Sequence, residues 1–152
     1  MHIYGDGKFV DTLLEYQKKD SRIKYNGVVN NEQIVAAEIN ATLLVNPRFS
    51  NQEFVKYSFP SKTSEYMLSG TPLLTTRLCG IPEEYFEYLY TFDEESEDGF
   101  ANKLQEILSK TTNELDQKGK SAQSFVLKHK NNFVQSKKII DFFYSSFNNK
   151  YL

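Results

Sequence analysis

Between Tyr57 and Pro72 the chain reads Tyr57-Ser-Phe-Pro-Ser-Lys-Thr-Ser-Glu-Tyr-Met-Leu-Ser-Gly-Thr-Pro72, which sets Lys62 beside Ser61 and puts Ser64 and Glu65 just beyond it. Ser61 is the expected N-cap of a helix opening near Lys62, with Ser64 and Glu65 at first-turn positions where polar side chains satisfy backbone N–H groups. Tyr66, Met67 and Leu68 supply its buried face. Ser69-Gly70 supplies a left-handed exit, and Pro72 blocks continuation. A helix amino end with a lysine at its opening and hydroxyls on either side attracts phosphate, because the helix dipole and the ammonium act in the same direction. Glu65, about one turn on, could accept hydrogen bonds from the two hydroxyls of a ribose. Together these residues suggest a nucleotide. The same residue types also fit a plainer arrangement, in which Ser61 only caps, Lys62 is solvated and Glu65 pairs with a surface cation.

The flanking elements decide what such a helix would face. Leu73-Leu-Thr-Thr76 is short, apolar and partly β-branched, the pattern of a buried parallel strand. Upstream, His2-Ile-Tyr-Gly5 and Ile23-Lys-Tyr-Asn-Gly27 read as strands around a crossover helix over residues 9–19, whose Phe9, Val10, Leu13, Leu14 and Tyr16 recur at helical spacing. Asn30 or Asn31 caps the next helix, with apolar positions at Ile34, Val35 and Ile39, and Ala41-Thr-Leu-Leu-Val45 follows as a third buried strand. Downstream come the turn Arg77-Leu-Cys-Gly-Ile-Pro82, a short helix over 83–87, a strand over 88–92, an acidic helix-entry turn over 93–98 and helical periodicity over 100–108 and 111–129. The last helix carries Phe133, Val134, Ile139, Ile140, Phe142, Phe143 and Phe147, more apolar surface than one edge of a small domain needs. Strands alternating with helices predict a Rossmann-like α/β domain, a parallel sheet flanked by helices, spanning 1–152 with C-terminal helices over about 112–148.

In such sheets ligands sit outside the carboxyl ends of the strands. The turn Gly27-Val-Val-Asn30, Arg48 after the third strand, the Lys62 helix and the Gly80 turn would therefore share one cleft. Arg48 is a candidate for fork-like contact with a diphosphate; its alternative is to bond loop carbonyls. Cys79, with no histidine nearby in sequence, is expected to be a small buried residue rather than a nucleophile.

Composition excludes several classes. At 152 residues the length suits one domain with a single core. A formal charge of -2 gives no electrostatic footprint for nucleic acid. One cysteine cannot form an internal disulfide, which points to a reducing cytoplasm. His2 and His129 lie far apart without cysteine partners, so no metal is expected, and no run of residues has the length of a transmembrane helix. Lys128, Lys130, Lys137 and Lys138 near the aromatic last helix leave peripheral contact with a membrane's inner face as a competing use of that surface. A strand starting almost at Met1, with no crossover before it, reads as truncation.

Phe59-Pro-Ser-Lys-Thr-Ser-Glu-Tyr-Met-Leu-Ser-Gly-Thr-Pro-Leu73 with Gly80-Ile-Pro-Glu-Glu-Tyr85 resembles the donor-binding, C-terminal half of group 1 glycosyltransferases of the GT-B fold, closest to the bacterial branch that builds capsular and other surface polysaccharides. Ile3-Tyr-Gly-Asp-Gly7, Ile23-Lys-Tyr-Asn-Gly-Val28 and Leu44-Val-Asn-Pro-Arg48 extend the likeness in order. It implies transfer of a hexose from a nucleoside-diphosphate sugar to a saccharide acceptor, with neither metal nor cofactor. It implies donor contacts from Phe59, Pro60, Ser61, Lys62, Glu65 and Arg48, base contacts from the backbone at Gly27 and Val28, and Gly80 and Ile81 near the sugar and diphosphate. Catalytic residues on the acceptor side, and the N-terminal acceptor domain itself, would be a partner absent from this chain, reached by the last helix crossing back. Two departures stand out. The family commonly carries two glutamates with seven residues between them; Glu65 matches the second, and Tyr57 stands at the first. The arginine and lysine that usually meet the diphosphate at the opening of the donor domain are also absent. A non-catalytic nucleotide-binding or interaction module is the rival reading. A flavodoxin-like receiver is weaker, since its acidic cluster and lysine are missing.

Overall fold

Leu73 and Leu74 are both sealed from solvent, and successive strand residues point to opposite faces, so the strand they open must be covered on both sides. The computed structural model, which describes residues 1–148, shows how; the expected domain end at 152 lies outside the described residues. Chain contacts divide the protein into two units, Met1–Asn40 and Ala41–Leu152.

The first unit contains β1 (His2–Ile3), α1 (Val10–Lys19), β2 (Lys24–Tyr25) and α2 (Asn31–Ile39). β1 and β2 pair in parallel, with His2 opposite Lys24 and Ile3 opposite Tyr25. Gln17 ties the crossover helix to the second strand by accepting from the Tyr25 N–H at 2.7 Å. Of the two expected caps for α2, Asn30 is the one used: it accepts from Gln33 N at 2.9 Å while the Gln33 side chain returns to the Asn30 N–H. The apolar positions expected to face a core are only partly covered. Phe9 and Tyr16 stay exposed, as does Ile39, and α1 buries no residue fully.

In the second unit β3 (Leu44–Asn46), β4 (Leu73–Thr75) and β5 (Tyr90–Thr91) form a parallel sheet in the order β3-β4-β5. A 3-10 helix over Glu53–Tyr57 and then α3 (Ser61–Ser69) lead from β3 to β4. A second 3-10 helix, Glu83–Tyr88, precedes β5, and α4 (Glu97–Leu108), α5 (Thr112–His129) and α6 (Asn132–Asn148) complete the chain. The α/β class and parallel pairing read from the sequence are therefore present. Leu73 joins Met67, Leu78, Ile81, Tyr85 and Phe125 on one side of the sheet. Leu74 joins Phe92, Ile107 and Leu115 on the other. The expected third buried strand is shorter and less buried than its sequence suggests, because β3 is an edge of this sheet and Val45 points outward at 38 % exposure.

Helix ends follow local chemistry. Gly70 adopts φ +77° as the left-handed cap of α3, Ser96 accepts from Gly99 N at α4, and Thr111 and Glu114 form a capping box at α5. α5 comes against the end of α3 with no room between their backbones. A Cβ built on Gly119 would lie 2.0 Å from the Gly70 carbonyl oxygen, so only glycine lets the helix sit this close. Alanine normally improves a helix interior by about 1 kcal/mol over glycine. Here overpacking against backbone, typically about 1–3 kcal/mol, outweighs that gain. Gly119→Ala is expected to lower stability in urea unfolding; an unchanged or raised midpoint would show that the two helices can separate without cost.

Candidate functional site

Because α3 runs back across the sheet between two parallel strands, its amino end returns to the carboxyl edge of β3 and β4, where the strand-to-loop connections open. The structure gathers Phe59, Pro60, Ser61, Lys62 and Glu65 there. Lys62 Nζ donates to Glu65 Oε1 at 2.8 Å and lies 5.8 Å from the centre of the Tyr66 ring. The two side chains are 44 % and 34 % exposed, so the ion pair is open to water. The cation expected to neutralise Glu65 is thus its own neighbour one turn away.

Ser61 is not the N-cap. The helix begins at Ser61 itself, with Pro60 as the capping residue, and no side chain closes the end. Pro60 has the extended backbone and fixed φ that start a helix, and its carbonyl accepts from Thr63 N at 2.9 Å, which shifts the first turn one residue upstream. The inward-facing residue of that turn is Thr63, fully buried above Met67, while Leu68, expected inside, is exposed. Thr63 escaped the sequence reading because a threonine between a lysine and a serine carries no apolar signal. Its position four residues before Met67 was the available clue.

Two segments brace the entry to α3. The Gly80 turn packs on it so tightly that a Cβ at Gly80 would lie 2.1 Å from the Ser58 carbonyl oxygen. The Arg77–Pro82 turn meets the chain at Ser58 and Phe59, and Ile81 is buried in the core rather than offered to a ligand. Cys79 is exposed, contrary to the expected burial, because its neighbours Leu78 and Ile81 take the inward positions of that turn. Tyr85 lies beneath Phe59, with ring centres 5.4 Å apart, and burial raises its phenol above the usual tyrosine range.

Three polar atoms among the described residues are sealed without a hydrogen-bond partner: Asn46 Nδ2, Thr63 Oγ1 and Thr76 Oγ1. Asn46 ends β3, Thr76 follows β4 and Thr63 sits in the first turn of α3, so all three belong to this edge. An unmade buried hydrogen bond costs about 1–3 kcal/mol, and such groups in a native protein commonly mark a functional region.

Arg48 is exposed two residues beyond β3, its N–H bonded to the Asn46 carbonyl, and its guanidinium has no hydrogen bond or ion pair among the described residues. Tyr57, at the position of the family's first glutamate, is 84 % exposed. The acidic turn is engaged by protein groups: Glu95 accepts from Ser50 N at 2.7 Å and Asp93 pairs with Lys103 at 2.7 Å. In the first unit, Gly27 holds φ +69° and its carbonyl accepts from Gly5 N at 2.8 Å, while Val28 is 75 % exposed. Two shallow depressions of the second unit, one lined by Glu84, Tyr88, His129 and Lys138 and one by Tyr90, Glu114 and Lys118, contain none of the expected donor residues.

The sequence model described as glycosyl transferases group 1 matches residues 1–110, well over half of the chain. The chain belongs to that family. No curated protein matches it. The matched stretch includes both glycine-bearing turns and all of α3, whereas α5 and α6 lie beyond it. Glycosyl transfer is accordingly the chemistry to which the family membership attaches.

Gly80→Ala tests the brace. The added methyl cannot be placed without moving the Ser58 carbonyl, so denaturant unfolding should show a loss of about 1–3 kcal/mol. Unchanged stability, with unchanged amide exchange at residues 58–60, would mean the turn yields freely.

Proposed function

We propose that the second unit is the donor-binding part of a glycosyltransferase that moves a hexose from a nucleoside-diphosphate sugar to a saccharide acceptor in surface polysaccharide synthesis. The observation that carries this is the joint placement of Lys62 and Glu65 on one turn at an amino end that has no side-chain cap and no acid ahead of it in the first turn. A diphosphate at that end would accept from Lys62 and backbone N–H groups, adding to the favourable end of the helix dipole. Lys62 would leave Glu65 to do so. Glu65 would exchange an ammonium for the ribose hydroxyls, so each partner of the resting ion pair takes up one part of the nucleotide.

In the transfer, the bond from the anomeric carbon to the diphosphate oxygen breaks, the acceptor hydroxyl oxygen bonds to that carbon, and its proton passes to the departing diphosphate. Charge grows on the leaving diphosphate, and donors fixed beforehand at α3 stabilise it. Arg48, unengaged at the same edge, can swing onto the phosphates. Residues that activate the acceptor are assigned to a separate N-terminal domain, acting in cis or in trans. Gly27 and Val28 enter as base contacts through the family likeness alone. A cytoplasmic setting, at or near the inner face of a membrane, fits a donor of this class, and neither metal nor cofactor is required by this arrangement.

A second reading, a non-catalytic module that binds nucleotide or a protein partner, has one observation in its favour. Tyr57 replaces the glutamate that would touch the donor sugar, and α6 exposes Phe133, Ile139, Phe142 and Phe143. Adding the acceptor domain separates the two, because only the transferase then turns over.

Calorimetric titration with UDP, GDP and their sugars provides the direct test. The exposed Lys62–Glu65 pair contributes little to stability, so both alanine variants should fold normally. Each should weaken binding about ten- to a hundredfold, the range for losing a hydrogen bond to a charged group. Equal affinities in wild type, Lys62→Ala and Glu65→Ala would remove the assignment.

A further inference from the structure

We propose that Tyr85, held in place by Lys130, is a positioning residue that sets the geometry of the amino end of α3 from beneath without entering the site. The structural half of this stands alone; its effect on nucleotide binding rests on the donor reading above.

Tyr85 touches the segment that leads into the helix. Its ring packs on Phe59, two residues before the helix, with the ring centres 5.4 Å apart. The ring is 6 % exposed and meets Phe125 of α5 edge-on at 5.2 Å. Lys130, one residue beyond α5, places Nζ 4.9 Å from the Tyr85 ring centre and 5.2 Å from that of Phe125, and forms an ion pair with Glu84. The Lys130 side chain is only 12 % exposed, so this cation is desolvated between two rings and a carboxylate, where cation–π attraction is strongest. The ammonium therefore joins the end of α5 to the 3-10 helix bearing Tyr85. Tyr85 in turn joins that helix to Phe59, next to the Pro60 that starts α3. With Gly80 seated on the Ser58 carbonyl, the entry to α3 is fixed by neighbours on its protein side, which leaves its other side available. A cradle for a diphosphate depends on N–H directions held to within about 0.5 Å, which is the service such a support performs.

Hydrogen exchange of the amides of residues 63–65, followed in the ligand-free chain, reads the positioning directly. Tyr85→Leu removes the ring that packs on Phe59 and keeps an apolar side chain; Lys130→Met keeps the packed stem and removes the charge; Lys130→Arg retains both charge and ring contact. We expect Tyr85→Leu and Lys130→Met to speed exchange there about tenfold through local opening, and Lys130→Arg to stay near wild type. Nucleoside diphosphate affinity should fall about three- to tenfold in the same two variants and recover in Lys130→Arg. Unchanged exchange in Tyr85→Leu and Lys130→Met overturns the inference, as does a lowered melting temperature with local exchange left intact, which would make the pair ordinary core. Faster local exchange in a chain whose wild type binds no nucleoside diphosphate upholds the positioning and instead defeats the donor reading.

Discussion

The second unit depends on how closely bare backbone approaches α3 at each end. At the entry Gly80 lies against the Ser58 carbonyl, and at the exit Gly119 lies against the Gly70 carbonyl, both at distances that admit no side chain. A nine-residue helix would be marginal by itself, because nucleation costs more than so few hydrogen bonds return. Clamped between a turn and a long helix, with Thr63 and Met67 buried beneath it, α3 has its amino end set at the carboxyl edge of the sheet and cannot slide along its axis. Everything chemical about the unit follows from where that end is held.

That end is left unfinished in a particular way. α2, α4 and α5 are each closed by a polar side chain, Asn30, Ser96 and Thr111, while α3 starts after a proline and accepts no such cap. Lys62 adds positive charge to an end already favourable to anions, and Glu65 offsets it with a contact that water can compete for. An open ion pair of this kind is cheap to exchange for a ligand carrying both phosphate and hydroxyl groups. A buried one would hold against it, since separating desolvated partners costs several kcal/mol. The sealed, unpartnered hydroxyls of Thr63, in the first turn of α3, and Thr76, just after β4, give the same edge unsatisfied polarity as well as exposed charge.

Much of this was legible in the residues. Gly70 and Pro72 announce the end of α3, and the apolar run after them announces a strand covered on both faces; both are local signals of backbone preference and burial. The same local logic misplaced the cap, since a serine before a lysine looks like an N-cap until the proline ahead of it supplies the extended residue instead. What the chain could not disclose were contacts across long sequence distances. Nothing around Gly119 or Gly80 names Gly70 or Ser58 as its neighbour, and nothing around Lys130 points to Tyr85. Val45 and Cys79 failed for a related reason: their residue types favour burial, but one stands on an edge strand and the other on the outer side of a turn.

The division between family pattern and support follows from these contacts. Residues 1–110 carry the pattern shared with group 1 glycosyl transferases, yet Gly119, Phe125 and Lys130, which hold α3 and Tyr85 in position, all come from α5 or the residue after it. A charge such as Lys62 can be recognised wherever it stands, because its chemistry is in the side chain. Its backing cannot, because a glycine, a phenylalanine and a lysine acquire that role only through what they press against. The helix outside the shared pattern is therefore part of what holds α3: without α5 the amino end of α3 would keep its residues and lose its orientation.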